Sequence, residues 1–402
     1  MIETTDILIV GGGLVGSSLA IALDAAGRAV TMVEATAPRR GSVPDYSERN
    51  LALARASVNG LRALGVWDFA ADKATAIRHI HVSRTGEFGS TRLSAERFGV
   101  DALGWTLPAR ELGAALLARL DQCTHLTRHA PAKVTRLERV EDGWHVVIDA
   151  PDGAREIITR LLVGADGTHS MVRDALGIAA DTCDYEQALF VATVTPQRAP
   201  DGRAYERFAN DGPVALLPLA GGRAGLVLTV PAAQADEVAA LDDDAFVELA
   251  QQRFGWRLGR LSRPGKRFPH AIQRVAAQKV TAARAVLVGN AAQTVHPVGA
   301  QGFNLGLRDA LTLSELVARA DDPGAGHLLE TYAARRAPDR EGVMAMSHGL
   351  IRLACLDHPW LAPLRTLGML AFDRLPPLRH GMALRGMGFR GEPPRDVLEV
   401  TP

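Results

Sequence analysis

Three glycine-rich stretches hold the residues able to do chemistry in this chain. The first, Gly11-Gly12-Gly13-Leu14-Val15-Gly16, has G-x-G-x-x-G spacing and lies between an apolar run at 7–10 and a helix-forming segment. Gly11 permits the tight turn, Gly13 lets backbone approach a diphosphate, and Gly16 lets the helix pack on the strand. Open N–H groups at the helix start favour the anion. Glu34 ends a second apolar run about 20 residues on, where a carboxylate can hold both hydroxyls of an adenosine ribose. Read alone, these residues suit NAD and FAD equally, and the bare spacing also occurs in plain glycine turns.

The second stretch, Gly164-Ala165-Asp166-Gly167-Thr168-His169-Ser170-Met171-Val172-Arg173, follows an apolar strand segment at 157–163. Asp166 thus falls at the carboxyl end of a strand, where open α/β sheets bind ligands, although Asp-Gly is also an ordinary turn signal. The third runs from Gly289-Asn290-Ala291-Ala292-Gln293-Thr294-Val295-His296-Pro297 through Val298-Gly299-Ala300-Gln301-Gly302-Phe303-Asn304. Its small residues let backbone lie against a flat ligand, and Asn290 can hydrogen-bond a polyol. A helix after Gly302 aims its N-terminal dipole at whatever precedes it. A flavin suits that place, because its reduced ring gathers negative charge that N–H groups stabilise. Taken alone, the stretch also reads as a structural loop.

The elements that must position these stretches follow from periodicity. Strand 7–10, helix 14–26 stopped by Gly27, and strand 29–34 make a βαβ opening. Helical spacing returns at 54–64 and 110–120, and short alternating segments at 77–107 read as strands. Strands at 134–139 and 144–148 flank the turn Glu141-Asp142-Gly143 and feed the buried strand 157–163. Further strands are expected at 189–195, 214–219, 225–230 and 285–288, with helices near 243–254 and 302–320.

Composition narrows the function classes. The 402 residues carry 45 Lys+Arg against 45 Asp+Glu, without the basic excess of a nucleic-acid-binding protein. A hydrophobic share of 47% supplies a large core and argues against disorder. Cys123, Cys183 and Cys355 are far apart and form no C-x-x-C pair, which fits a reducing compartment and neither a disulfide framework nor a metal site. The acidic start lacks the features of a signal peptide, and no run of about 18 apolar residues is present, so a cytoplasmic protein without a spanning helix is expected.

Together the three stretches resemble the FAD-dependent aromatic hydroxylases of the para-hydroxybenzoate hydroxylase fold. Within that family the closest likeness is to the ubiquinone-biosynthesis branch, the 2-polyprenyl-6-methoxyphenol hydroxylase group, and it covers essentially the whole chain. Further matches are Arg49 with Leu51-Ala52-Leu53, Leu64-Gly65-Val66-Trp67, Arg110, Tyr205-Glu206-Arg207-Phe208 before Gly212-Pro213, and Met387-Gly388 with Pro394-Arg395. Gly-Asn-Ala-Ala-Gln at 289–293 points to the ubiquinone branch, since most of the wider family has Asp and His in place of Asn290 and Gln293. Two departures stand out: Ala300-Gln301-Gly302 replaces Gly-Gln-Gly, and Gly113 stands where many relatives have Gln.

The resemblance implies an α/β fold: an FAD-binding Rossmann-like domain of the GR2 type (1–76, 100–180 and 276–342), an inserted, mostly antiparallel β substrate domain (77–99 and 181–275), and a helical C-terminal segment (343–402). It assigns FAD to Gly11, Gly13, Leu14, Val15, Gly16, Glu34, Arg49, Arg110, Val134, Asp166, Asn290, Pro297, Gly299, Gln301, Gly302, Phe303 and Asn304. The chemistry implied is reduction of FAD by NAD(P)H, addition of O₂ at the flavin 4a carbon, and attack of the resulting hydroperoxide on an electron-rich, lipid-tailed phenol. With no second G-x-G-x-x-G unit, NAD(P)H would bind transiently in the same groove.

Beside the reactive flavin edge the resemblance puts His296 and Pro297, as shapers of the oxygen site; a buried structural histidine is the other reading. Tyr205, Phe208, Leu216, Leu217 and Pro218 are candidates for an apolar substrate pocket, or plain sheet core, with Tyr205 able to activate the phenol. Residues 343–391 carry Arg352, Arg365, Arg374, Arg379, Arg385 and Arg390 against Asp357 and Asp373. Such a tail could meet a membrane surface, cap the fold, or join a quinone-biosynthesis complex. An NAD-dependent dehydrogenase leaves the third stretch without a role. A halogenase lacks its lysine motif among Lys73, Lys133, Lys266 and Lys279. A catalytically quiet FAD-binding scaffold remains open.

Overall fold

A computed structural model describes residues 2–37, 49–267, 269–355 and 361–398; Asp357 of the basic tail lies outside them. Strand Ile2–Val10 is central in an eight-stranded sheet, parallel to Gly153–Gly164 on one side and Val30–Val33 on the other. Leu126–His129 and Ala285–Leu287 extend the parallel core outward. Ile7, Leu8 and Ile9 are fully buried, as a strand covered on both faces must be, and this is why the segment reads as an unbroken apolar run. Three separate regions of chain, 2–33, 126–164 and 285–287, therefore assemble one sheet. The antiparallel pair Lys133–Val140 and Gly143–Ala150 attaches along the Gly153–Gly164 strand.

A second sheet has nine strands and is mostly antiparallel. The long strand Ala180–Pro196 bridges it, pairing with Pro269–Ala277 and Ala224–Pro231. Val214–Pro218 and Arg203–Phe208 follow, and His79–Arg84 with Ser90–Ser94 close the far edge. Helix Asp243–Phe254 covers one face, starting at Asp242, whose carboxylate accepts from the Ala245 N–H at 2.8 Å. Phe190, Leu216, Leu228, Phe246 and Phe254 fill the layer between. The first sheet and this one form the mixed α/β architecture that the sequence implies, completed by C-terminal helices.

Those helices are Gln301–Val317, Gly326–Cys355, Leu361–Arg374, Pro376–Gly386 and Arg395–Leu398. Gly326–Cys355 runs through Pro338 and past residue 342, so the domain limit drawn there falls inside one continuous helix. Arg336 and Asp339, both buried, anchor the turn around that proline. Among the described residues no helix is long and apolar enough to cross a membrane.

Candidate functional site

The glycine loop is built by close backbone approach. Gly11 has φ +105°, and a Cβ there would lie 2.5 Å from the Ala165 carbonyl oxygen and 2.9 Å from the Asp166 Cα. A Cβ at Gly16 would lie 2.0 Å from the Gly11 carbonyl oxygen, so the helix can start only if this residue has no side chain. Gly13 differs: nothing lies within 4 Å of its Cβ position, and it fronts the uncapped N-terminus of helix Leu14–Ala25. Glu34 sets its carboxylate against the loop, accepting from the Gly12 N–H at 2.6 Å and the Thr36 N–H at 2.9 Å. The Ala132 N–H donates to the Glu34 carbonyl at 2.8 Å, two residues before Val134.

The second and third stretches clasp the first. Val15 fills the space left by Gly289 and Gly306, where Cβ atoms would approach it to 3.1 and 2.7 Å. Arg173 is buried and donates from Nη1 to the carbonyls of Thr168 (3.0 Å) and Ala291 (3.2 Å), while the Thr168 and Thr294 hydroxyls bond at 2.8 Å. Asp166 accepts from the Ser170 hydroxyl at 2.5 Å and the Val172 N–H at 3.1 Å. Its carboxylate therefore tethers the short helix Met171–Ala175, and the second stretch braces the third.

The third stretch turns on Gly289 (φ +60°) and on Gly299 and Ala300, consecutive left-handed residues at φ +68° and +50°. An alanine in that region costs roughly 1 kcal/mol, and Asn304 Nδ2 steadies it by donating to the Ala300 carbonyl at 2.7 Å. Asn304 also donates to the Ala52 carbonyl and accepts from the Ala54 N–H, both at 2.9 Å. Its side chain thus tethers the helix start to strand Asn50–Ala54 through both its nitrogen and its oxygen. Asn290 is exposed, and Gln293 is buried between Asp309 (2.7 Å) and Arg340 (2.9 Å). No side chain caps helix Gln301–Val317. Among the described residues nothing fills the space before Gly299 and Gly302, and the Gln301 Oε1 is buried without a hydrogen-bond partner.

These features fit a dinucleotide carrying a flat ring. Gly13 and the first helix offer room and N–H groups for a diphosphate, and Gly299, Gly302 and the second helix N-terminus offer the same to an electron-rich ring edge. Arg49 and Arg110 begin adjacent segments joined by the Ala109 N–H to Arg49 carbonyl bond at 2.8 Å, with Arg110 also paired to Glu111.

His296 is fully buried. Its Nδ1 accepts from the Val298 N–H at 3.1 Å, which leaves the proton on Nε2 facing Gln187 Oε1 at 3.3 Å. Burial lowers its pKa to about 4, and Tyr185 meets the ring edge-on at 4.8 Å. Both nitrogens are occupied and the ring is neutral, so His296 shapes the loop and carries no charge at neutral pH. Pro297 precedes the turn at Val298, its carbonyl accepting from the Ala300 N–H.

The five pocket candidates do not share a face. Tyr205 and Leu216 sit opposite each other in register, in the core under helix Asp243–Phe254. The Tyr205 ring meets Phe254 at 5.5 Å. Pro218 pairs with the core residue Ala224. Phe208 alternates to the other face, where it packs on Val298 of the third stretch, and Leu217 alternates with it. Sequence reading also missed a buried ionic cluster of Arg308, Asp309, Arg336 and Asp339 behind the third stretch. Its only signal was a set of charges within the apolar spacing of two helices.

The family described as FAD binding domain matches residues 4–347. The ubiquinone hydroxylase UbiL of Rhodospirillum rubrum is 37% identical, over 98% of this chain and 92% of its own length. The 3-demethoxyubiquinol 3-hydroxylase of Escherichia coli is 31% identical, over 92% of this chain and 95% of its own. In fold, the p-nitrophenol 4-monooxygenase of Pseudomonas putida superposes with a TM-score of 0.80 over 97% of this chain and 99% of that one, at 17% identity. With the cradle, the interlocked loops and these full-length likenesses in agreement, the chain belongs to the FAD binding domain family and is an FAD-binding flavoprotein.

Proposed function

We propose that the protein is a monooxygenase that hydroxylates the aromatic ring of a polyprenylphenol in ubiquinone biosynthesis, with NAD(P)H as electron donor. The observation that carries this reading is the chain of contacts from the first glycine stretch to the apolar sheet face: Val15 packs on Gly289 and Gly306, and Val298 of the third stretch packs on Phe208. Full-length relatives named as ubiquinone hydroxylases support the substrate class. Bound FAD supplies electron transfer and oxygen activation. The chain does the rest: the first helix N-terminus and Gly13 would hold the diphosphate, and Glu34, which accepts from the Gly12 N–H, would hold the ribose. The N–H groups of helix Gln301–Val317 stabilise negative charge on the ring. Neutral His296, with Phe208 and Val82, keeps a dry apolar wall beside it.

The C-terminal arm suits a lipid-tailed substrate. Leu364, Leu367, Leu375 and Leu378 are 63%, 62%, 50% and 45% exposed, beside exposed Arg374 and Arg385. An apolar ridge edged by arginines fits an anionic lipid surface. Flotation with vesicles containing phosphatidylglycerol is expected to carry the protein, and a Leu364→Ser, Leu367→Ser variant should float at least fivefold less. Equal flotation of the two would remove the membrane reading.

Mass spectrometry of quinone extracts from the source organism with the gene deleted tests the function. A prenylphenol lacking one ring oxygen should accumulate and disappear when the gene is restored. An unchanged quinone pool, in a strain with no other ring hydroxylase active, would contradict the assignment.

A further inference from the structure

Strand Arg203–Phe208 carries a carboxyl group to which the preceding mechanism gives no role. Tyr205 and Arg207 lie on the face under helix Asp243–Phe254, Tyr205 against Phe254 and Arg207 donating from Nη1 to the Phe254 carbonyl at 2.6 Å. Glu206 and Phe208 therefore alternate onto the opposite face, toward the third glycine stretch. Glu206 sits in register between Val82 and Ala215, and Val82 joins Phe208 and Val298 in one apolar cluster. Among the described residues its carboxyl has no hydrogen-bond or ion-pair partner. A strip of its surface stays accessible, yet the surrounding atoms remove most of the water that would solvate its charge. An acceptor set unpaired in an apolar wall costs free energy until a ligand donor meets it.

We propose that Glu206 is a catalytic residue whose carboxylate takes the proton of the bound phenol's hydroxyl. The step rests on the phenol-hydroxylase reading above. The phenol O–H bond breaks and a carboxyl O–H bond forms. The electron pair stays on the phenol oxygen and delocalises into the ring, which then attacks electrophilic oxygen more readily. As the peroxide O–O bond breaks, one oxygen joins the ring carbon, the proton that carbon loses passes to the phenol oxygen, and Glu206 gives its own proton to the other oxygen, which leaves as water. Tyr205, the phenol activator suggested by residue type, is one position along the same strand but on the wrong face.

Burial raises the Glu206 pKa to about 8, which brings the base closer to a phenol in strength. The charged and titratable groups around that face do not oppose this, and Cys355, packed in the same cluster, has its thiol pKa raised by burial. Arg84 is engaged by Glu87 at 2.9 Å and by Asn210. The Tyr185 hydroxyl and His348 Nδ1 bond to each other at 3.1 Å, and burial lowers the pKa of both His296 and His348. Because Glu206 must be ionised to accept a proton, activity rises as pH rises through about 8.

The test compares the FAD-loaded wild type with Glu206→Gln and Glu206→Asp, using a short-chain 2-prenylphenol as probe. Hydroxylated product and the phenol dissociation constant, read from the oxidised flavin spectrum, are followed across pH. Wild-type kcat/KM should climb through about pH 8, with phenol binding tightening several-fold over the same range. Glu206→Gln should lose about 100-fold in kcat/KM at the alkaline end and show a flat profile in both readouts. Glu206→Asp should keep the rise at a reduced rate. A Gln variant that keeps both the rise and a rate within threefold of wild type would overturn the role of Glu206 and leave the hydroxylase reading intact. A wild type that binds phenol at no pH and forms no hydroxylated product would overturn both.

Discussion

Gly16→Ala is expected to abolish FAD retention, while Gly13→Ala should fold as well as wild type and still bind FAD poorly. At Gly16 the added methyl would sit 2.0 Å from the Gly11 carbonyl oxygen, so the helix must move off the loop that aims its N–H groups. Overpacking of this kind costs about 1–3 kcal/mol in stability, and displacement of the N–H groups adds a loss of at least about 100-fold in cofactor affinity. At Gly13 the backbone is φ −66° and nothing lies within 4 Å, so alanine fits the free protein. Removing glycine freedom from the unfolded chain can even stabilise it by about 0.4–1 kcal/mol. The methyl projects into the diphosphate's space, and a loss of at least about tenfold, or 1.4 kcal/mol, is expected. Thermal unfolding paired with fluorescence titration of FAD separates the two effects. Wild-type FAD affinity in Gly13→Ala would show that the diphosphate lies elsewhere.

Asp339→Asn should destabilise the protein by about 3–5 kcal/mol, far more than loss of a surface pair. Asp339 is 1% exposed and accepts from Arg308 Nε (2.7 Å), Arg308 Nη2 (3.2 Å) and Arg336 Nη2 (2.9 Å). Neutralising it leaves two buried guanidiniums to share one remaining carboxylate, Asp309, which accepts from Arg336 at 2.7 Å. Asp309 also accepts from the Gly289 N–H (3.1 Å) and from Gln293, so the damage reaches the backbone of the third glycine stretch. FAD affinity should fall together with the denaturant midpoint. Burial pushes the Asp339 pKa up, but Arg308 and Arg336 outweigh it and hold it below the ordinary 3.8. Its contribution is thus present above about pH 4 and is lost only as pH falls through the lower folded-state value. Denaturation near neutral pH should show the full difference between variant and wild type. A difference under about 1 kcal/mol would mean that the pair is replaceable.

The glycine stretches were legible because their chemistry demands residue types that little else supplies: Gly16 for a 2.0 Å approach, Gly11 for a positive φ, Glu34 beside the loop. Helix Asp243–Phe254 was equally plain, with an aspartate cap and regular spacing. What stayed hidden depends on partners distant in sequence. Asn304 also bonds Ala52 and Ala54, 252 and 250 residues away, a tether that no local pattern announces. Asp166 also accepts from Ser170 and Val172, a bracing role that an Asp-Gly turn does not announce. Tyr205 and Phe208 differ by three positions and so face opposite ways, which becomes visible only when the strand's covered face is known. Ala235–Ala240 is too short for periodicity to reveal, and the helix through Pro338 is held by ion pairs that no local rule anticipates.

The most direct measurement is a single-turnover reaction of the FAD-loaded protein with NAD(P)H, a short-chain 2-prenylphenol and isotopically heavy O₂, read by mass spectrometry of the phenol. One heavy oxygen atom on the product ring, with the other recovered in water, is the expected result. Oxygen consumption that yields only hydrogen peroxide, with an unlabelled and unchanged phenol across the substrate series, would contradict the assignment of this flavoprotein as a ring hydroxylase.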